Sequence, residues 1–174
     1  MASRTTLVPI VQRHADAVQQ LVTTDRSIIE QTRLPDPYPD DGAERWIDYA
    51  RPRHQRGEEY TFAIEHDREV VGACGLIVSD YGREAELGYW IGRPYWGRGY
   101  ATEAARAAVA FAFEWAELDR VVALPLATNA PSRRVLEKAG LRFVGVRPAE
   151  ALWSGQEQAV YEAVREGPAP QGSV

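Results

Sequence analysis

The chain has 174 residues, 45% of them hydrophobic, with a formal net charge of -5 and a sequence pI near 5.3. This length and apolar content suit one domain with a sizeable core. Because neutralising the phosphates of a nucleic acid requires a basic surface, a chain this acidic is not expected to be a general nucleic-acid-binding protein.

Cysteine usage and hydropathy bear on the compartment. Cys74, the one cysteine, lies in the apolar run 70–78, which favours a buried core thiol and excludes an internal disulfide. Residues 1–6 contain no apolar region of the signal-peptide kind, and no stretch approaches the ~18 apolar residues of a membrane helix. We therefore expect a cytoplasmic protein with no membrane partner.

Pattern and turn residues predict the elements of the N-terminal half. Three prolines force a loop over 34–40, and Asp41 with Glu44 forms the capping-box pattern of the next helix. A short turn at 66–68 joins two strands as a hairpin. The predicted elements are a strand over 5–10, a helix over 14–23, a helix from 41, and strands over 60–65, 69–79 and 84–91.

The C-terminal half alternates helices and strands. Gly140 closes the second predicted helix, as expected of a residue just past a helix end. The predicted elements are helices over 99–116 and 131–139 and strands over 119–124, 141–146 and 159–165. Together these elements predict an α+β domain with a central mixed sheet over residues 1–166. The Pro/Gly/Ser-rich segment 167–174 is expected to be a disordered tail.

A glycine-containing turn between the strand over 84–91 and the helix from 99 is the segment most informative about function. Helix N-termini present unpaired N–H groups and a favourable dipole to an anion, and glycines let the backbone approach a phosphate closely. A P-loop would need Gly-Lys-Ser/Thr, and a dinucleotide fingerprint would need a third glycine where Thr102 stands. The turn therefore indicates a phosphate-bearing ligand or an ordinary glycine-rich connection; it reads Trp96-Gly97-Arg98-Gly99-Tyr100-Ala101-Thr102.

Two blocks in this order, about 30 residues apart, resemble the GNAT superfamily of acetyltransferases, and its RimJ/RimL-type branch in particular. The family's signature Q/R-x-x-G-x-G/A reads Trp96-Gly97-Arg98-Gly99-Tyr100-Ala101, with Trp96 in place of the leading Gln or Arg. The run 86–91 is similar to the branch's fourth strand. The block 129–141 is similar to its N-x-x-S-x-x-V-L-E-K-x-G-F pattern.

The resemblance implies direct acyl transfer from acetyl-CoA to a primary amine on a protein N-terminus or a small molecule. It implies a mostly antiparallel sheet flanked by helices, in which a splayed strand pair holds the acyl-CoA. The expected cofactor contacts are the backbone of Trp90 and Ile91 along the pantetheine, Trp96 and the amides over 97–102 around the pyrophosphate, and Asn129 and Ser132 beside the thiol. Asn129 also suits a simple cap of the helix that follows.

Catalytic residues follow less directly. Many members of the family carry a tyrosine acid where Leu136 stands here, and RimL-like proteins are proposed to use a serine and a loop glutamate instead. Those positions match Ser132 and Glu150, the latter after a one-residue gap. Glu86 on the fourth strand is the rival general base, and either carboxylate can act through water.

The histidines, the aspartates and the aromatic residues bear on other classes of site and function. His14, His54 and His66 are isolated and expected at the surface, so neither a metal site nor a Ser-His-Asp set is expected. The cluster of Asp36, Asp40 and Asp41 suits a polyamine pocket or a capped, solvated loop. The abundance of Trp and Tyr suggests a homodimer. The alternative to an enzyme is a catalytically inactive acyl-CoA-binding module on the same fold.

Overall fold

The computed structural model describes residues 5–79, 82–149 and 153–166. Its helices are α1 (Ala15–Thr24), α2 (Arg26–Gln31), α3 (Gly42–Gln55), α4 (Tyr100–Glu114) and α5 (Ala130–Ala139). Its strands are β1 (Thr5–Pro9), β2 (Glu59–His66), β3 (Glu69–Val78), β4 (Glu84–Ile91), β5 (Arg120–Ala123), β6 (Arg142–Pro148) and β7 (Glu157–Val164). Short 3-10 turns cover Gln12–His14 and Arg93–Tyr95.

The described strands form one seven-stranded sheet in the order β1-β2-β3-β4-β5-β7-β6. Neighbouring strands are antiparallel except β4 and β5, which run parallel. Because a parallel neighbour needs a crossover, α4 connects this pair, as a helix commonly does. The predicted α+β class with a mixed, mostly antiparallel sheet is confirmed.

Helices cover both faces of the sheet, and each face has its own apolar cluster. On one face α4 packs through small side chains, with Ala104, Ala105 and Ala108 buried against Leu76 and Leu87. On the other face α1 and α3 bury an aliphatic cluster; it includes Val18, Val22 and Ile47. Alanines let the α4 backbone approach the sheet closely, and the two clusters fix β3 and β4 as the centre of the molecule.

Three sequence-based predictions need correction. Helix α2 was not predicted; it has six residues, too few for a periodic pattern, and Asp25 caps it by accepting the Ser27 N–H at 2.8 Å. The capping box expected at Asp41 does not form, because the Asp41 side chain makes no cap hydrogen bond. His14 is not at the surface: its side chain is 1% exposed, and its Nε2 lies 3.2 Å from Glu65 Oε1. The tail over 167–174 lies outside the described residues, so the domain boundary at 166 remains a prediction.

Candidate active site

The turn between β4 and α4 has the backbone that an anion site requires. Gly97 and Gly99 have φ of +75° and +86°, a conformation that L side chains rarely adopt. Gly99 is the N-cap residue of α4 and offers no side-chain cap, so the amides of the first helical turn remain open to a ligand. The macrodipole of this 15-residue helix adds a positive potential at the same point.

Trp96, which replaces the leading polar residue of the motif, holds the turn in place. Its indole Nε1 donates to the Ile91 carbonyl oxygen at 2.7 Å, which ties the turn to the end of β4. The Arg93 guanidinium lies 4.3 Å from the centre of the indole ring. The indole N–H is therefore engaged within the protein, and Trp96 acts on the turn through the backbone. Arg98 is exposed at the turn and lies 5.9 Å from the Tyr95 ring.

Strands β4 and β5 separate in the middle of the sheet. Their register is Glu84 with Arg120, Ala85 with Val121 and Glu86 with Val122, and no later pair follows. Strand β4 continues for residues 87–91, still paired with β3 on its other side. A gap therefore opens beside the second half of β4, as the expected splay requires.

Along the antiparallel β3–β4 pair, alternate residues of β4 hydrogen-bond to β3, and this alternation decides which backbone groups of β4 face the gap. The Gly92 N–H donates to the Val71 carbonyl oxygen at 2.8 Å, so residues 88, 90 and 92 turn their polar backbone groups toward β3. The backbone of Tyr89 and Ile91 then points into the gap. Of the two residues expected along the pantetheine, the N–H and C=O of Trp90 are directed at β3, and only Ile91 faces the gap.

A pair of hydroxyl groups lies at the gap. The Tyr89 hydroxyl is 2.8 Å from Ser132 Oγ and 3.2 Å from the Ser132 carbonyl oxygen. Burial raises the pKa of the Tyr89 phenol to about 12, so it stays protonated at neutral pH. Sequence reasoning missed Tyr89, because its contact with Ser132 joins two segments that are 43 residues apart in the chain.

Helix α5 begins with the arrangement that the capping interpretation predicted. The Asn129 side-chain oxygen accepts the Ser132 N–H at 3.1 Å, and its amide nitrogen donates to Gln31 Oε1 at 3.2 Å. Both polar groups of Asn129 are thus engaged within the protein, where they orient the first turn of α5 and with it Ser132.

A cleft of about 740 Å³ lies on the opposite face of β3 and β4 from α4 and α5. The segment 31–39 and one side of α3 form its walls, and the strands form its floor. Glu86 projects into this cleft, is 32% exposed, and forms an ion pair with Arg33. Arg33 also lies 6.0 Å from the centre of the Trp153 ring, across the mouth of the cleft.

The predicted catalytic residues are only partly brought together. Glu86 faces the cleft, while Ser132 lies on the α5 side, so the β4–β5 gap separates the two. Glu150 lies outside the described residues, and its role remains a prediction. Leu136, at the position of the family's tyrosine, is fully buried at 0% exposure.

Neither a metal cluster nor a membrane helix occurs in residues 5–79, 82–149 and 153–166. No group of three potential metal-ligating side chains occurs in those ranges. Within the same ranges, none of the helices has the length and apolar character needed to cross a membrane.

Comparison with known proteins places the chain in a family. Residues 4–142 match the model of the acetyltransferase (GNAT) domain. The probable N-acetyltransferase YjcK of Bacillus subtilis is 32% identical over 145 residues, which cover 79% of this chain and 80% of YjcK. The chain therefore belongs to the GNAT acetyltransferases. Matches to two other curated Bacillus relatives span only 59% and 52% of those proteins.

Solved structures agree on the fold. Mycobacterium smegmatis RimJ, solved with CoA-disulfide, is similar with a TM-score of 0.82 at 24% identity, covering 92% of this chain and 81% of RimJ. RimL, the ribosomal L7/L12 α-N-protein acetyltransferase solved with coenzyme A, is similar with a TM-score of 0.85 at 18% identity, covering 94% and 95%. The expected resemblance to the RimJ/RimL branch is confirmed at the level of fold.

Proposed function

We propose that this GNAT protein transfers the acetyl group of acetyl-CoA to a primary amine, with the reaction centred on the gap between β4 and β5. The observation that carries the proposal is the position of this gap. It adjoins the uncapped N-terminus of α4, the Tyr89–Ser132 hydroxyl pair and the open cleft that contains Glu86.

In this proposal the cofactor follows the exposed edge of β4. The amides over 97–102 take the pyrophosphate, and Arg98 adds positive charge beside it. The Ile91 N–H and the backbone of Tyr89 pair with the pantetheine amides, because those groups face the gap. Ser132 lies beside the thiol end, and Asn129 acts on the cofactor indirectly by orienting Ser132.

The amine approaches from the cleft side. Its nitrogen attacks the thioester carbonyl carbon, the C–N bond forms and the C–S bond breaks. The nitrogen must be neutral when it attacks, because an ammonium is not a nucleophile; as the C–N bond forms, a base takes the N–H proton that the amide does not keep. Glu86 is the described carboxylate suited to this role, directly or through water, once Arg33 gives way to the acceptor. Glu150 remains the alternative base.

The leaving thiolate needs a proton, and the family's usual tyrosine is replaced by a buried leucine. Ser132 supplies the proton in this proposal, and the Tyr89 phenol restores it through their hydrogen bond. Solvent then returns to Tyr89 the proton that the base released. The net change is amine plus thioester to amide plus thiol, with no proton gained or lost.

The acceptor is proposed at the level of a primary amine. Similarity to RimL, described as an α-N-protein acetyltransferase, favours a peptide N-terminus over a small molecule. The cleft volume falls within the range of about 300–1,000 Å³ that is usual for ligand pockets.

The test combines cofactor binding with turnover. We expect acetyl-CoA to raise the melting temperature, and CoA release to occur with some members of a panel of peptide and small-molecule amines. Glu86→Gln should lower kcat about 100- to 10,000-fold at neutral pH, with acetyl-CoA affinity retained and partial recovery at higher pH. Binding without turnover across the panel would instead support the inactive acyl-CoA-binding module.

Glu84→Gln is the matched control. Glu84 lies on the same strand and the same face as Glu86, but it pairs with Arg120 at 2.5 Å beside the continuous part of the sheet. Its replacement should leave kcat unchanged. Equal losses of kcat in the two variants would remove Glu86 from the mechanism.

A further inference from the structure

Two glycines lie side by side on the floor of the cleft. Gly75 of β3 and Gly88 of β4 are directly opposite in the strand register, and both line the cleft. A glycine inside a strand weakens the sheet, since it packs no side chain and has more backbone freedom to lose on folding. A glycine in a strand interior therefore calls for a specific structural or functional reason.

The usual structural reasons are absent at both positions. Neither glycine has a positive φ, and the β3–β4 register runs from Gly72 to Val78 without a bulge. A Cβ added at Gly88 would meet nothing within 4 Å, and one at Gly75 would first meet the Tyr60 carbonyl oxygen at an ordinary 3.6 Å. Nothing in the described protein requires these two residues to be glycine.

Two neighbouring glycines show the opposite behaviour. A Cβ at Gly72 would lie 2.2 Å from the Trp90 carbonyl oxygen, and one at Gly92 would lie 2.6 Å from Leu21 Cδ2. At Gly72 the obstacle is backbone, which cannot move aside, whereas at Gly92, just past β4, it is a terminal methyl of Leu21. Strand β3 thus carries one glycine that packing requires, Gly72, and one that packing does not require, Gly75.

The free glycines form a trough with side chains along both margins. Glu59, Ile77 and Glu86 share one cross-strand row and border the trough on one side. Ala73 and Trp90 form the row on the other side. The row continues to Thr61 of β2, whose side chain ends the bare floor; from Gly88 across Gly75 to Thr61 the row spans two strand spacings, about 10 Å. At its β4 end it meets the gap that β5 has left.

We propose that Gly88 and Gly75 set the clearance for the acceptor, so that the site takes a primary amine whose nitrogen-bearing carbon also carries a substituent. This inference rests on the proposed acetyl transfer at the β4–β5 gap. An amine in the cleft must bring its nitrogen within about 3–3.5 Å of the thioester carbonyl. Its first carbon then lies over Gly88, where a side chain would occupy the space that a branch needs.

The acceptor class that fits this trough is the α-amine of a peptide. Its Cα is branched, and the following residues can extend over Gly75 toward β2. About 10 Å corresponds to roughly three extended residues at ~3.3 Å each. A floor closed by side chains would admit an unbranched alkylamine more readily than such an acceptor.

The test uses three probes on the full-length protein. They are CoA, CoA joined through an acetyl group to the nitrogen of n-butylamine, and CoA joined in the same way to the α-nitrogen of alanine amide. Calorimetry gives the Kd of each for the wild type, Gly88→Ala and Gly88→Val. We expect the wild type to bind both conjugates more tightly than CoA.

Gly88→Val should weaken the alanine-amide conjugate about 10- to 100-fold, as steric overpacking of roughly 1–3 kcal/mol implies. The affinity for the butylamine conjugate should fall less than about threefold and the affinity for CoA should not change, since the turn over 97–102 is unaltered. Gly88→Ala should show the same order with smaller losses. Equal losses for both conjugates, or a wild type that binds them no better than CoA, would overturn the inference.

Folding controls separate the outcomes. Gly88→Ala should melt at or above the wild-type temperature, whereas Gly72→Ala should melt lower because its Cβ meets backbone. A Gly88→Ala variant as unstable as Gly72→Ala would show that Gly88 is structural after all. A wild type that fails to bind CoA itself would reject the proposed function rather than the role of the glycines.

Discussion

Removing one hydroxyl tests the proposed proton path. In Tyr89→Phe the 2.8 Å contact with Ser132 Oγ is lost while the ring and its packing remain. A neutral hydrogen bond contributes about 0.5–1.5 kcal/mol to stability, so the variant should stay folded with a slightly lower melting temperature. General acid catalysis is typically worth about 100- to 10,000-fold.

We expect an effect at or below the lower limit of that range. The CoA thiolate leaves unaided at some rate, and Ser132 keeps its own hydroxyl, so kcat should fall about 10- to 100-fold in Tyr89→Phe. Ser132→Ala should fall similarly, and the double variant should lose little more, because the two hydroxyls act in one path. The assay is release of the CoA thiol, with acetyl-CoA affinity measured separately and expected to stay unchanged.

Three further measurements separate catalysis from packing. Tyr38→Phe is the control, since the Tyr38 hydroxyl is buried in the wall of the cleft that contains Glu86, without a hydrogen-bond partner among the described residues. Fluorotyrosines at position 89 change phenol acidity with little change of shape, so kcat should vary with the phenol pKa. Because the pKa of Tyr89 is raised to about 12, this group should cause no alkaline fall in kcat below about pH 10. Wild-type turnover in Tyr89→Phe would refute the proton path.

The remaining predictions concern the cofactor, alkaline stability and assembly. Gly99→Glu should abolish the rise in melting temperature with acetyl-CoA, because a side chain at φ +86° costs about 1–2 kcal/mol and its carboxylate repels the pyrophosphate. An unchanged rise would refute pyrophosphate binding at the turn before α4. Burial raises the pKa of the Cys74 thiol from 9.0 to about 12, so the thiol of the unfolded chain ionises at a lower pH than that of the folded protein. The free energy of unfolding should therefore fall by about 1.4 kcal/mol per pH unit above pH 9. Denaturation of Cys74→Ala at pH 9 and 10 should lack that slope. Light scattering should give a dimer mass, and a constant 19.4 kDa would exclude it.

Much of the fold was accessible from sequence because its signals are local. Alternation and turn residues predicted the β2–β4 meander, and Gly140 marks the end of α5 with a φ of +97°. The glycines at 97 and 99 predicted the turn before α4 in the same way, since a positive φ is a property of single residues. The motif also predicted Ser132 at the start of α5, where it lies.

What sequence could not supply are contacts between distant segments. Tyr89 and Ser132 are 43 residues apart, and Arg33 and Glu86 are 53 apart, so no periodicity connects them. His14 was expected at the surface because it is isolated and stands at a predicted helix end, yet tertiary packing leaves it 1% exposed and its pKa lowered mainly by burial. Such pairings are decided by the order of strands and helices in space.

Two departures from the family pattern are linked through β4. Trp96 replaces a polar residue of the motif, and its indole ties the turn between β4 and α4 to the end of β4 through the Ile91 carbonyl oxygen. Leu136 replaces the usual acid and is buried, so the proposed mechanism needs a proton donor that reaches the gap from elsewhere. Tyr89 does so because β5 pairs with β4 only as far as Glu86. The same early end of pairing exposes the Ile91 N–H, opens the space beside Gly88 and brings the cleft to the proposed position of the cofactor. Extending β5 pairing by even two residues should therefore eliminate cofactor binding and acceptor access together.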